Sequence, residues 1–158
     1  MKLRLTDEGR RLAQESLAKW QSVLLLAHWD IQLRIVPEEQ LTKQECVACQ
    51  GAVRFDEQRR VASITLPETI EIDDGESALG VPAIIIHELA HIIVGPVESI
   101  VDGLIGRLST DDRRMFGNLF HECHEALLDT IVVALTGQRA VQMWSGGDVP
   151  LGWEAVEE

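Results

Sequence analysis

His87-Glu88-Leu89-Ala90-His91 lies inside an apolar run, with Ile84-Ile85-Ile86 before it and Ile92-Ile93-Val94 after it. On a helix, positions i and i+4 fall one turn apart on the same face. Both imidazoles can therefore reach one metal ion, and Glu88, beside the first of them, can reach a water held there. So many apolar residues around one helix predict that it is buried. Two histidines and a glutamate in such a helix are costly to desolvate without partners. A metal and a water supply them. A pair of buried histidines bonded to backbone or carboxylates is the competing reading, and it does not account for the glutamate beside the first histidine.

The helix is expected to start near Val81-Pro82, since proline suits a first turn. Gly95-Pro96 is expected to end it, a glycine stop followed by a helix-incompatible residue. Upstream, residues 6–28 read as an amphipathic helix with Thr6 as N-cap and Asp7 and Glu8 in its first turn. His28, at its end, reads as a cap or surface residue. Trp29 to Val36 partly alternates and reads as a strand ended by Pro37. Gly51–Phe55 and Arg60–Leu66, joined by a polar turn at 56–59, read as a β-hairpin. Together these strands predict a small, mainly antiparallel sheet of about three strands. Residues 67–80 read as an acidic, solvated connection. Residues 97–117 read as connecting material, and a second long helix is expected over about 116–136. The tail beyond Trp144 reads as irregular, packing through Trp144 and Trp153.

With 158 residues, 46% of them hydrophobic, the chain is expected to form a single α+β domain over 1–158. Its formal net charge is −12, from 26 acidic and 14 basic residues, which argues against a nucleic-acid-binding surface. The N-terminus is charged and lacks the apolar core of a signal peptide. The apolar stretches read as too short to span a bilayer. A cytoplasmic setting without membrane contact is the expectation. The three cysteines, Cys46, Cys49 and Cys123, argue against a disulfide framework. Cys46-Val47-Ala48-Cys49 has the spacing of half a zinc ribbon, but no second half follows, so two ordinary small residues are the simpler reading.

A catalytic zinc takes three protein ligands and keeps one open position. A third histidine six residues past His91 would suit a metzincin, but that position is Val97. The second long helix offers His121-Glu122-Cys123-His124-Glu125-Ala126-Leu127-Leu128-Asp129 instead. Glu125 and Asp129 lie one turn apart. A carboxylate ligand followed by an Asp makes physical sense, because the Asp can accept from the free ring nitrogen of a zinc histidine and orient it. Glu122, His121, Glu98 and His124 stay open as rivals to Glu125.

The pairing of His87-Glu-Leu-Ala-His91 with Glu125-x-x-x-Asp129 resembles the gluzincins, the thermolysin-like zinc peptidases, in a minimal zincin form. The resemblance implies Zn²⁺ held by His87, His91 and Glu125, with Glu88 as general base and Asp129 orienting a zinc histidine. It implies a protein or peptide substrate, paired with an edge strand beside the metal helix, here Val61–Leu66. Related peptidases use a Tyr or His to stabilise the oxyanion, and this chain has no Tyr. His121 or His124 is the expected donor, with Arg113 or Arg114 behind them. A zinc-binding interaction or regulatory module without proteolysis is the alternative, and Glu88→Gln separates the two.

Overall fold

A computed structural model describes residues 1–37, 40, 50–72, 78–136 and 149–156. Strand β1 (Lys2–Leu5) leads into helix α1 (Asp7–Val23), then strands β2 (Asp30–Val36), β3 (Ala52–Asp56), β4 (Val61–Pro67) and β5 (Thr69–Glu71). Helices α2 (Val81–Ile105) and α3 (Thr110–Thr136) follow, and strand β6 (Trp153–Val156) comes last. Among the described residues these are three helices and two three-stranded sheets, the α+β class expected from the sequence. Cys46, Cys49, Trp144 and residues 73–77 of the acidic connection lie outside the described residues.

Helix α1 starts as its sequence implies: the Thr6 hydroxyl accepts from the Gly9 amide at 2.8 Å. It stops at Val23 rather than at residue 28. Leu25 adopts φ 59°, a left-handed conformation that no helix can continue through. His28 falls in the turn beyond and is exposed.

The β3–β4 hairpin forms as read, pairing Val53 with Ile64 and Phe55 with Ala62. Asp56 Oδ1 accepts from the Arg59 amide at 3.0 Å and tightens its turn. β2 joins on the other side of β4, parallel to it. The order is therefore β2-β4-β3. This corrects one expectation: β4, which contains Val61–Leu66, is the central strand and offers no free edge. Among the described residues the edge nearest α2 is β3. The second sheet, β5-β1-β6, was not expected. It joins the two ends of the chain, with Leu3 opposite both Ile70 and Ala155. Trp153 packs in the core as anticipated, and its ring nitrogen donates to the Leu79 carbonyl at 3.1 Å.

α2 departs most from its sequence pattern. It runs straight past Gly95-Pro96 to Ile105, 25 residues in all. Gly95 serves packing rather than termination: a Cβ there would lie 2.4 Å from Cζ of Phe55. Pro96 withholds one amide from the carbonyl of Ile92. Beyond it Glu98 meets His124 of α3, while Val97, Ile100 and Leu104 stay exposed. The full helix is long and apolar enough, by length and composition, to cross a membrane, against the expectation from shorter runs. In this fold its first half is the core: Val81, Ile84, Ile85, Ile86, Leu89 and Ile92 are all buried.

Residues 106–109 turn the chain, and α3 runs back beside α2. Its start at Thr110 is six residues earlier than expected. Ser109 carries the signal: its hydroxyl accepts from the Asp112 amide at 3.3 Å and donates to the Asp112 carboxylate at 2.6 Å. The buried residues of α3 are His124, Leu128 and Val132, all in its second half.

Candidate metal centre

The pairing of α2 with α3 brings the two sequence motifs together. His87 Nε2 lies 3.2 Å from Glu125 Oε2, and His91 Nε2 lies 3.8 Å from Glu125 Oε1. One ligand atom from each of His87, His91 and Glu125 falls within 4.8 Å of the others. Two ligands at about 2.0–2.1 Å on a tetrahedral ion stand roughly 3.3 Å apart, which the observed separations bracket. The donor set of two imidazoles and a carboxylate thus fits a metal ion in both chemistry and spacing.

Each histidine turns its other nitrogen to a second carboxylate. His87 Nδ1 is 3.4 Å from Asp129 Oδ1, an ion-pair separation whose direction falls short of a hydrogen bond. His91 Nδ1 is 3.5 Å from Glu98 Oε1. The same Glu98 oxygen is 2.7 Å from Nε2 of His124, again out of line with the ring. His91, Glu98 and His124 form a second group whose ligand atoms lie within 4.8 Å of one another.

Glu88 is buried, with 5% of its surface exposed. It lines a cleft of about 250 Å³ together with His87, Glu125, Ile84, Leu79, Gln50 and Gly51. Gly51 opens β3 and passes close to the carboxylate. A Cβ there would sit 2.7 Å from Ile84 Cγ2 and 3.0 Å from Glu88 Oε1. Only a residue without a side chain lets the strand come so near.

The charges respond to this crowding. Burial pushes the Glu88 carboxyl up to about 7; the charge on His87 opposes the rise and that on Glu125 adds to it. His91 is pushed down to about 4 by burial and by the charge on His87, with Glu125 opposing and His124 and His121 adding. His91 is thus a neutral imidazole at neutral pH, the form a metal needs. Burial also disfavours a charged His87, but the hydrogen bond with Glu125 and the charges of Glu88, Glu125 and Asp129 outweigh it and raise its pKa. That hydrogen bond holds Glu125 below the usual carboxylate range, against burial and with help from His91, His87 and His121. Glu98 is raised, chiefly by burial, with His124 opposing and Asp102 and Glu125 adding.

The rivals for the third ligand stand in different places, and Glu98 and His124 form the second group with His91. Glu122 is exposed and belongs to neither group. His121 is 73% exposed, with Nδ1 3.9 Å from Glu125 Oε1, so it stands at the rim. His124 is buried and turned to Glu98. Arg113 donates to the carbonyls of Gly106 and Leu108 and holds the α2–α3 turn. Cys123 is free and exposed. Sequence reading passed over Gly51 and gave Glu98 only the part of a rival ligand. The i, i+7 spacing from His91 to Glu98 was a usable signal, hidden by the expected helix stop between them.

No protein-family model, curated protein or solved structure matches this chain.

Proposed function

We propose that this chain is a zinc-dependent peptidase of the gluzincin kind, with His87, His91 and Glu125 as ligands. The observation that supports it best is the convergence of those three groups, two of which, His87 and Glu125, line one cleft with a buried glutamate. Two nitrogens and one carboxylate oxygen suit zinc among the common divalent ions. Bound there, zinc supplies a Lewis acid for a peptide carbonyl and acidifies a water to a pKa of about 7.

The remaining work falls to this chain's own side chains. Glu88 faces the cleft, and burial makes its carboxylate more basic than an exposed one, as a general base requires. It takes the proton of the attacking water and returns it to the leaving nitrogen. Asp129 keeps the His87 ring oriented from the far side. β3, the edge strand beside α2, offers main-chain groups to an extended peptide. His121, exposed at the rim, is the donor assigned to the oxyanion.

The test pairs zinc content with cleavage of a peptide library. Wild type is expected to hold about one zinc per chain and to cut, and Glu125→Ala is expected to lose the metal. Glu88→Gln is expected to keep the zinc and lose about 10²–10⁴-fold in kcat. A wild type that holds zinc and cuts nothing supports the binding-module reading. A wild type that takes up no zinc on reconstitution overturns the metal centre.

A further inference from the structure

Glu98 is seven residues beyond His91 on α2, two helical turns along the same face. It arrives there only because the helix continues through Gly95-Pro96. Its Oε1 lies 3.5 Å from His91 Nδ1 and 2.7 Å from His124 Nε2. His124 comes from α3, directly before Glu125, and only 7% of its side chain is exposed. One carboxylate oxygen therefore stands between the back of a ligand histidine on one helix and a buried imidazole on the other.

The same three residues could be read as a second metal site. The spacing and the chemistry of His91 both disfavour that site. The 2.7 Å between Glu98 Oε1 and His124 Nε2 is well below the roughly 3.3 Å between two ligands on one tetrahedral ion. His91 would also have to bind metal through both ring nitrogens and so give up its last ring proton. A carboxylate that faces the back of His91 and lies against the His124 ring needs neither.

We propose that Glu98, anchored by His124, is the positioning residue of His91. It accepts the Nδ1–H of His91 and so selects the tautomer that leaves Nε2 bare for the metal. It is to His91 what Asp129 is to His87. The two carboxylates approach from opposite helices, so each ligand histidine is held from behind. This inference rests on the proposed zinc centre.

The test is zinc affinity, read by competition with a chromophoric chelator, for wild type, Glu98→Ala, Glu98→Gln and His124→Ala. Thermal unfolding of each metal-free protein and histidine ¹⁵N spectra of each zinc-loaded one accompany it. Glu98→Ala is expected to weaken zinc binding about 10–100-fold. Glu98→Gln, whose amide oxygen can still accept from Nδ1–H, is expected to recover part of that loss. His124→Ala is expected to fall between wild type and Glu98→Ala. In the wild type, His91 is expected to show a protonated Nδ1. Unchanged zinc affinity in Glu98→Ala overturns the proposal, even if its metal-free Tm falls, because the role would then be structural. Two zinc ions per wild-type chain, one of them lost in Glu98→Ala, overturns it in favour of a second site. A wild type that binds no zinc overturns both this inference and the function it rests on. Should Glu98→Ala not fold, Glu98→Gln at wild-type affinity with a bare His91 Nδ1 overturns it equally.

Discussion

Glu88 and Gly51 share one corner of the cleft, and each limits the other. A methyl group at Gly51 meets Ile84 Cγ2 and Glu88 Oε1 at 2.7 and 3.0 Å, so strand, isoleucine or carboxylate must move. Overpacking of this kind costs about 1–3 kcal/mol. Gly51→Ala is therefore expected to lower stability by that amount in urea denaturation. It is also expected to reduce kcat more than zinc affinity, because the displaced group is the proposed base and not a proposed ligand. Equal loss in both would mean that the whole α2 face had shifted. At this scale much of the site is legible in the sequence. His87, His91, Glu125 and Asp129 each lie one helical turn from a partner, and helix periodicity alone places such pairs. Gly51 is not legible, because its neighbours come from a helix more than thirty residues away in the chain. His121 shows the limit from the other side. Its spacing from Glu125 is right, yet the ring is mostly exposed, since periodicity gives a face and not a depth.

At the scale of elements, the clearest departure is α2, because Gly95-Pro96 carries the local signature of a helix end. A C-terminal glycine works by taking a left-handed conformation. Gly95 instead stays helical and lets the Phe55 ring lie against the backbone. An exposed helical Gly→Ala change gains roughly 1 kcal/mol from propensity. Here the new Cβ would stand 2.4 Å from the ring, so Gly95→Ala is expected to destabilise by about 1–3 kcal/mol. The double variant Gly95→Ala, Phe55→Leu should recover much of that loss. A stabilised single variant in chemical denaturation would mean that the ring yields easily and that packing does not explain the glycine. Strands β1 and β6 escape sequence reading for a different reason. Each has four residues, too few to show a period, and they pair across almost the whole chain. The parallel pairing of β2 with β4 is hidden likewise, since alternation reveals a strand but not its neighbour or direction.

Across the whole molecule, burial is uneven, and the candidate metal centre lies where it thins. The core gathers β1, β4, β5, β6, α1 and the first half of α2. α3 contributes little to it: Leu128 and Val132 are its buried apolar residues, and Leu104, Met115, Phe116 and Leu119 near the α2–α3 turn are exposed. Two long helices held by so few apolar contacts need another link. The proposed ligands provide one, with His87 and His91 on α2 and Glu125 on α3. A metal that binds only the folded form adds about 2.7 kcal/mol when its free concentration is a hundred times Kd. That stabilisation should not be spread evenly. Hydrogen exchange is expected to show it in α3, where amides over about 118–132 lose protection when zinc is chelated. Amides of β4 and the first turns of α2 should change little, because their protection comes from the apolar core. Leu128→Ala, which opens a cavity in the one apolar patch of α3, is expected to cost about 2–5 kcal/mol and to enlarge the difference between zinc-bound and chelated protein. If chelation instead loosens core and α3 amides equally, the molecule unfolds as one unit, and the proposed metal is not a local clamp between α2 and α3.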